Sequence, residues 1–250
     1  EIMFGSLKNV QIVVLGICIA LGTIISTVIL SQGMINFKKA SAEVIDVTGS
    51  AEKRIISDYI VWTSKFSARD AQLKEAFAKI RADLGKVKGY LAGKGIKEGE
   101  IIVQQVTTTP VYRLDKNGKA TNEVEAYILD QVIEARSVDV MKLTAISRES
   151  TELIEQDVQF VSYAPQYFYT KLAELKLKML EAASADARKR AEKILAPSGN
   201  RVGKMRSANM GVFQITPVNS TEVSAWGEND TSSLEKKVFA VVHADFAIIE

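Results

Sequence analysis

Residues 10–30, VQIVVLGICIALGTIISTVIL, are an apolar run of 21 residues inside a longer stretch, 9–37, that holds no charged side chain. A helix rises about 1.5 Å per residue, so the run reaches roughly 32 Å, enough for a hydrocarbon core of about 30 Å. Its apolar surface runs all the way round, whereas the core helix of a soluble domain carries a single stripe. One membrane-spanning helix is therefore expected, with Val10, Leu15, Leu21, Ile25 and Leu30 among its spanning residues. The rival reading is a cleaved signal peptide ending at the small-residue triplet Ala40-Ser41-Ala42. A signal's apolar core is about 7 to 15 residues, shorter than this run, and Lys38 and Lys39 stand between the run and the triplet. An uncleaved signal anchor is the expectation. Gly16 and Gly22 are six apart, which is not the spacing of a close helix-pairing motif.

Which side the body takes is contested within the sequence itself. Lys38, Lys39, Lys53 and Arg54 follow the span and only Lys8 precedes it, a count that by the positive-inside rule alone places the body in the cytoplasm.

Composition removes most familiar chemistries. The 250 residues hold one cysteine, Cys18, and one histidine, His243, so neither a disulfide framework nor a zinc site built from cysteine and histidine is available. Lysine and arginine total 32 against 30 acids, a net charge of +2, which gives nucleic acid no electrostatic purchase.

Beyond the span, residues 43–54 read as a strand leading into Gly49, and 57–68 as a half-buried strand, with Ile60, Trp62, Phe66 and Ala68 alternating against polar neighbours. The period then changes. Leu73, Phe77, Ile80, Leu84, Val87 and Leu91 make one face of a helix over 70–92, stopped near Gly93 and Gly95. Strands at 100–113 and 124–136 flank Asp115-Lys116-Asn117-Gly118, an Asn-Gly hairpin signal. A helix capped by Ser137 is expected to run to about residue 154, followed by a strand over 157–163. That order, strand-helix-strand-strand-helix-strand, is the ferredoxin-like split plait. A long helix over 166–196 and strands at 201–215 and 236–249 complete a second lobe with the strand at 43–54. The expected fold class is α+β: an anchor over 1–38, a ferredoxin-like split βαβ plait over 57–164, and a second small αβ lobe, 43–56 plus 165–250, into which the plait is inserted.

Candidate sites are few. His243 and Asp245 share a strand face but lack the third ligand a metal needs, so a satisfied structural histidine is expected. Asp115 to Gly118 lacks the periodic acids of a calcium loop and reads as a turn. Gly93, Gly95 and Gly99 follow a helix and precede a strand, the reverse of a phosphate-binding loop, and mark a helix stop. Arg188, Lys189, Arg190 and Lys193 sit near a helix C-terminus, where positive charge is favoured, and read as a solvated cap. Glu123 and Glu125 alternate on a strand and mark its wet face. Asn219-Ser220-Thr221 and Asn229-Asp230-Thr231 match glycosylation acceptors by chance. Residues 216–235 are a polar stretch around a single tryptophan, Trp226, and loops of this length are functional or mobile. Trp226 is accordingly a candidate subunit contact, with a mobile excursion as the alternative. No cofactor, metal or catalytic residue is expected.

Several short segments, in order, resemble the SIMPL domain family, bacterial proteins that include periplasmic immunogenic proteins. They are Val47-Thr48-Gly49-Ser50-Ala51 with Ser57-Asp58, Gly95-Ile96 followed by Ile101, Ala126-Tyr127, and residues 182–195 (AASADARKRAEKIL) with Gly199 and Val202-Gly203. The correspondence covers about residues 44–249, with Ala126 where glycine is usual and Ile56 where proline is common. The resemblance implies an extracytoplasmic body, secreted or anchored, with a tendency to self-assemble, and it carries no catalytic residues. The expectation is thus a non-enzymatic single-pass protein of the bacterial inner membrane, its body on the extracytoplasmic side, forming a ring-like homo-oligomer with a scaffold or envelope-stress role. Its partners would be the bilayer, its own copies and an unidentified envelope component, not nucleic acid. The alternative is an envelope module binding a ligand or peptide in a cleft between the two lobes.

Overall fold

The computed structural model describes the backbone of residues 2–40 and 43–250 and the side chains of residues 14–35 and 43–250. The first helix, α1, runs Ile2–Ala40. Within it, Val14–Ile35 is long and apolar enough to cross a membrane, and none of that span is buried. Leu15, Leu21, Ile25 and Leu30 are 54 to 72% exposed, while the side chain of Val10 lies outside the described residues. An isolated run of this kind gains nothing from water, because each apolar side chain kept out of it is worth about 1.5 to 3 kcal/mol.

The rest mixes helix and sheet. The strands are β1 (Val44–Ile56), β2 (Tyr59–Asp70), β3 (Ile101–Val103), β4 (Thr107–Leu114), β5 (Ala120–Ser137), β6 (Gln159–Ser162), β7 (Gln166–Phe168), β8 (Arg201–Met210), β9 (Gln214–Pro217) and β10 (Glu235–Ile249). The helices after α1 are α2 (Leu73–Gly93), α3 (Val140–Glu149), α4 (Glu152–Glu155) and α5 (Leu172–Leu195). One sheet takes the order β3-β5-β2-β6, with β4 also on β5 and β7 also on β2. The other takes the order β1-β10-β8, with β9 also on β10.

Chain contacts divide the molecule into two compact units. One comprises Ser50–Ala183 and Met210–Val241; the other comprises Glu1–Gly49, Ser184–Asn209 and Val242–Glu250.

In the larger unit β2 and β5 are the long central strands, paired antiparallel from Ile60 opposite Ser137 to Asp70 opposite Tyr127. Alternation sends Ile60, Trp62, Phe66 and Ala68 of β2, and Leu129, Ile133 and Ala135 of β5, into one core with Ile80, Val87 and Leu91 of α2 and Leu143 of α3. Trp62 is 1% exposed, and its indole N–H donates to the Ser162 hydroxyl at 3.0 Å, which satisfies the one polar atom that burying it would otherwise strand. A second core gathers Ile55, Leu175, Met179, Ile215, Val238 and Ala240.

Several boundaries differ from the sequence expectation for local reasons. The strand expected over 100–113 is two strands, because past residue 104 the chain leaves the ladder: the Gln104 N–H still donates to Val132 O at 2.9 Å, but its carbonyl accepts from the Gln131 side chain at 2.9 Å. The helix cap is Asp139, not Ser137. Asp139 accepts from the Lys142 N–H at 3.1 Å, while Ser137 is still in the ladder opposite Ile60, its hydroxyl donating to Glu100 at 2.7 Å and accepting from the Asp139 N–H at 3.1 Å. The long helix begins at Leu172, not at residue 166, because Gln166, Tyr167 and Phe168 pair with Val61, Ile60 and Tyr59. The strand expected over 201–215 breaks at Gly211, whose N–H donates to Val241 O at 3.0 Å.

Candidate functional site

Residues 218–234 join β9 to β10 with neither helix nor strand, yet hydrogen bonds fix them along their length. The brace starts at Gln214, which is 8% exposed. Its amide N–H donates to Ser224 O at 2.7 Å, and its carbonyl oxygen accepts from the N–H groups of Glu228 at 2.9 Å and Ser224 at 3.3 Å. One side chain therefore saturates three backbone groups of the loop. Ile215 adds a ladder fragment, donating to Glu228 O at 2.9 Å and accepting from Asp230 N at 2.9 Å. Lys237 reaches Ser220 O at 3.1 Å. The return limb is tied by Tyr167 N to Thr231 O at 2.7 Å and by Ser57 N to Leu234 O at 2.9 Å.

Lys236 anchors the base of this loop. It is 2% exposed, and its ammonium donates to the Asp230 backbone carbonyl and approaches the Asp230 carboxylate at 3.5 Å. Burial pushes the lysine below the ordinary ammonium range, against the pull of Asp230. For Asp230 burial acts upward, but the donors of Ser232 and the charge of Lys236 outweigh it and hold the carboxyl below its usual range. The Ser232 N–H and hydroxyl lie 2.8 and 2.7 Å from one carboxylate oxygen.

At the tip of the loop stands Trp226, 93% exposed, with Val223 at 77%. The turn that follows needs glycine: Gly227 has φ +87°, and a Cβ there would lie 2.7 Å from Phe213 O. Two clefts flank the loop. One of about 190 Å³ is lined by Glu52, Thr216, Glu222, Val223 and Lys237 among others, and one of about 80 Å³ lies against Tyr167, Tyr169, Asp230 and Lys236. Next to the second, Asp58 accepts from the Thr170 N–H at 2.7 Å and hydroxyl at 2.8 Å, locking the entry to α5.

The lysine amine, the aspartate and the glutamine are spent on the loop's own backbone, and what the loop offers outward is an aromatic side chain.

The other candidates resolve individually. His243 is exposed, its Nδ1 2.9 Å from the Thr48 hydroxyl, while Asp245 accepts from the Ser207 hydroxyl on the strand to the other side. Among the described residues no group of three or more His, Cys, Asp or Glu side chains could hold a metal ion. Asp115 closes a hairpin turn, accepting from Asn117 N at 2.8 Å and Lys119 N at 2.9 Å, with Gly118 at φ +79°. Gly95, at φ +78°, ends α2. Arg188 pairs with Glu192 at 3.2 Å and Arg190 with Asp186 at 2.7 Å, while Lys189 and Lys193 are exposed. Glu123 and Glu125 pair with Arg113 and Arg69 at 3.0 and 3.1 Å.

Gln214, Asp230 and Lys236 were not identified from sequence. For Lys236 a signal existed: it shares the parity of Val238, Ala240 and Val242, the buried face of β10, where a charge requires a partner. Gln214 carries no such mark.

A family model described as SIMPL, Protein of unknown function (DUF541), matches residues 45–246. No curated protein matches. Three solved chains match. Among them, a crystal structure of an uncharacterized conserved protein from Listeria innocua is 10% identical over 76% of this chain and 91% of that one, with a TM-score of 0.20, too low to carry an argument.

Proposed function

We propose, from the premise that the chain belongs to the SIMPL family of unknown function, that it is a non-enzymatic, membrane-anchored protein that assembles with copies of itself. In this reading α1 is retained as an anchor and the body lies on the extracytoplasmic side of the bacterial inner membrane. The copies close into a ring-like particle with a scaffold or envelope-stress role. The strand order β3-β5-β2-β6 with α2 and α3 is read as a ferredoxin-like split plait, inserted in a second lobe formed by 43–56 and 165–250.

The observation that carries the proposal is Trp226, 93% exposed on a loop that Gln214, Lys236 and Lys237 hold in place. Covering a tryptophan removes about 150 to 250 Å² from water, worth roughly 4 to 6 kcal/mol at about 25 cal/mol per Å². A loop already fixed loses little further freedom on docking, so most of that gain is kept.

The test is light scattering with negative-stain imaging of the full chain in mild detergent, beside the variant Trp226→Ser. The expected result is a large symmetric particle that dissociates at higher protein concentration in the variant. A monodisperse monomer across concentrations would overturn the proposal.

A further inference from the structure

The smaller unit contains a sheet with both edges open. Its middle is the second half of β10, residues 242–249, with the opening residues of β1 on one side and β8 on the other. Ile248 N donates to Glu43 O at 2.9 Å and His243 bonds Thr48, while Asp245 is bonded by Ser207. β10 is thus paired on both sides. Among the described residues β1 and β8 each have strand neighbours on one side only, which leaves two rows of backbone donors and acceptors unpaired.

The two edges differ in sign. Over 201–209 β8 carries Arg201, Lys204 and Arg206 and no acid, and over 43–49 the other edge carries Glu43 and Asp46 and no base. All five side chains are exposed, and none forms an ion pair among the described residues. Val44 and Met205, about half exposed at 50% and 45%, add apolar surface to the same two strands.

We infer that β8 of one copy adds edge to edge onto β1 of the next, continuing the sheet from molecule to molecule. This rests on the self-assembly reading and names the contact that propagates it. Charge favours the arrangement: β8 against β8, or β1 against β1, brings together edges of one sign, whereas β8 against β1 brings together edges of opposite sign. A contact between two different patches is heterologous, so it joins copies head to tail rather than in two-fold pairs. Gly203 helps to fix the geometry of the β8 edge. A Cβ there would lie 2.9 Å from Ala247 O and 3.0 Å from the Ile249 side chain, so β8 lies close against β10.

The experiment measures the mass of the full chain in mild detergent, in about 50 mM and about 500 mM salt, for four proteins. They are the natural chain, Lys204→Glu/Arg206→Glu, Glu43→Lys/Asp46→Lys, and the chain carrying all four substitutions, each checked for natural secondary structure by circular dichroism. The expected result is an assembled natural chain that weakens with salt. Each reversed pair should raise the dissociation constant about tenfold or more, and the fully exchanged chain should regain assembly. An assembled natural chain whose mass is unmoved by either reversal overturns this pairing while leaving self-assembly standing, as does failure of the fully exchanged chain to recover. A natural chain that is monomeric overturns both.

Discussion

Replacing Lys236 by methionine keeps the length of the side chain and removes its charge and its donors. The ammonium sits at 2% exposure on the backbone carbonyl and carboxylate of Asp230, so both acceptors lose a donor without gaining access to water. Breaking a buried pair from one side costs about 3 to 5 kcal/mol. Ser232 keeps two bonds on the other carboxylate oxygen, at 2.8 and 2.7 Å, which places the cost near the lower end, about 3 kcal/mol. For a body of this size that is a fall in melting temperature of about 6 to 12 °C. The assay is thermal unfolding of the full chain in detergent, followed by circular dichroism. The partner variant Asp230→Asn/Lys236→Met leaves no buried charge and should recover at least about 1 kcal/mol of the loss. A fall of less than about 2 °C for the single variant, or a double variant no more stable than the single, would refute the view that this pair bears on the folded state.

The same pair sets a pH dependence. The folded-state pKa of Lys236 is depressed by burial, so between that value and the unfolded lysine's pKa of about 10.4 the unfolded chain binds the extra proton and stability rises with pH. Lys236→Met should flatten the alkaline limb of a stability profile, and an unchanged limb would refute it. Asp230 acts at the acid end, where its contribution is present above about pH 3.9 and is lost as pH falls through the lowered folded value. Gly227→Ala combines φ +87° with a Cβ 2.7 Å from Phe213 O and should cost about 1 to 3 kcal/mol by denaturant titration; a neutral result would contradict the turn geometry. Trp62→Phe removes the donor to Ser162 within a filled core and should cost about 1 to 2 kcal/mol, with a gain in stability as the refuting outcome. Trp226→Ser, by contrast, compared at a protein concentration where both chains are monomeric, should leave the melting temperature within about 2 °C of the natural chain, because the side chain is 93% exposed; a larger fall there would mean that it packs on its own body.

What local pattern dictates, the sequence alone determined. The apolar run became one helix, the alternation from Ile60 to Ala68 became β2, and the three-four spacing from Leu73 to Leu91 became α2, because each reports its own backbone geometry. The Asn-Gly turn closed between β4 and β5 for the same reason. Only the folded chain decided where competing local options fall. Ser137 and Asp139 are both good caps, and the choice went to Asp139 because β2 holds Ser137 in the ladder opposite Ile60, where its hydroxyl oxygen accepts from the Asp139 N–H rather than from a helix N–H. The segment from Gln166 to Phe168 could join a helix until β2 offered it a ladder. The loop carrying Trp226 read as a polar stretch, functional or mobile, because Gln214, Asp230 and Lys236, which lie in it or beside it, fasten it only once β9 and β10 are paired. A lysine becomes an anchor only where packing removes water from it and the same packing delivers its acceptor, and both conditions belong to the tertiary structure.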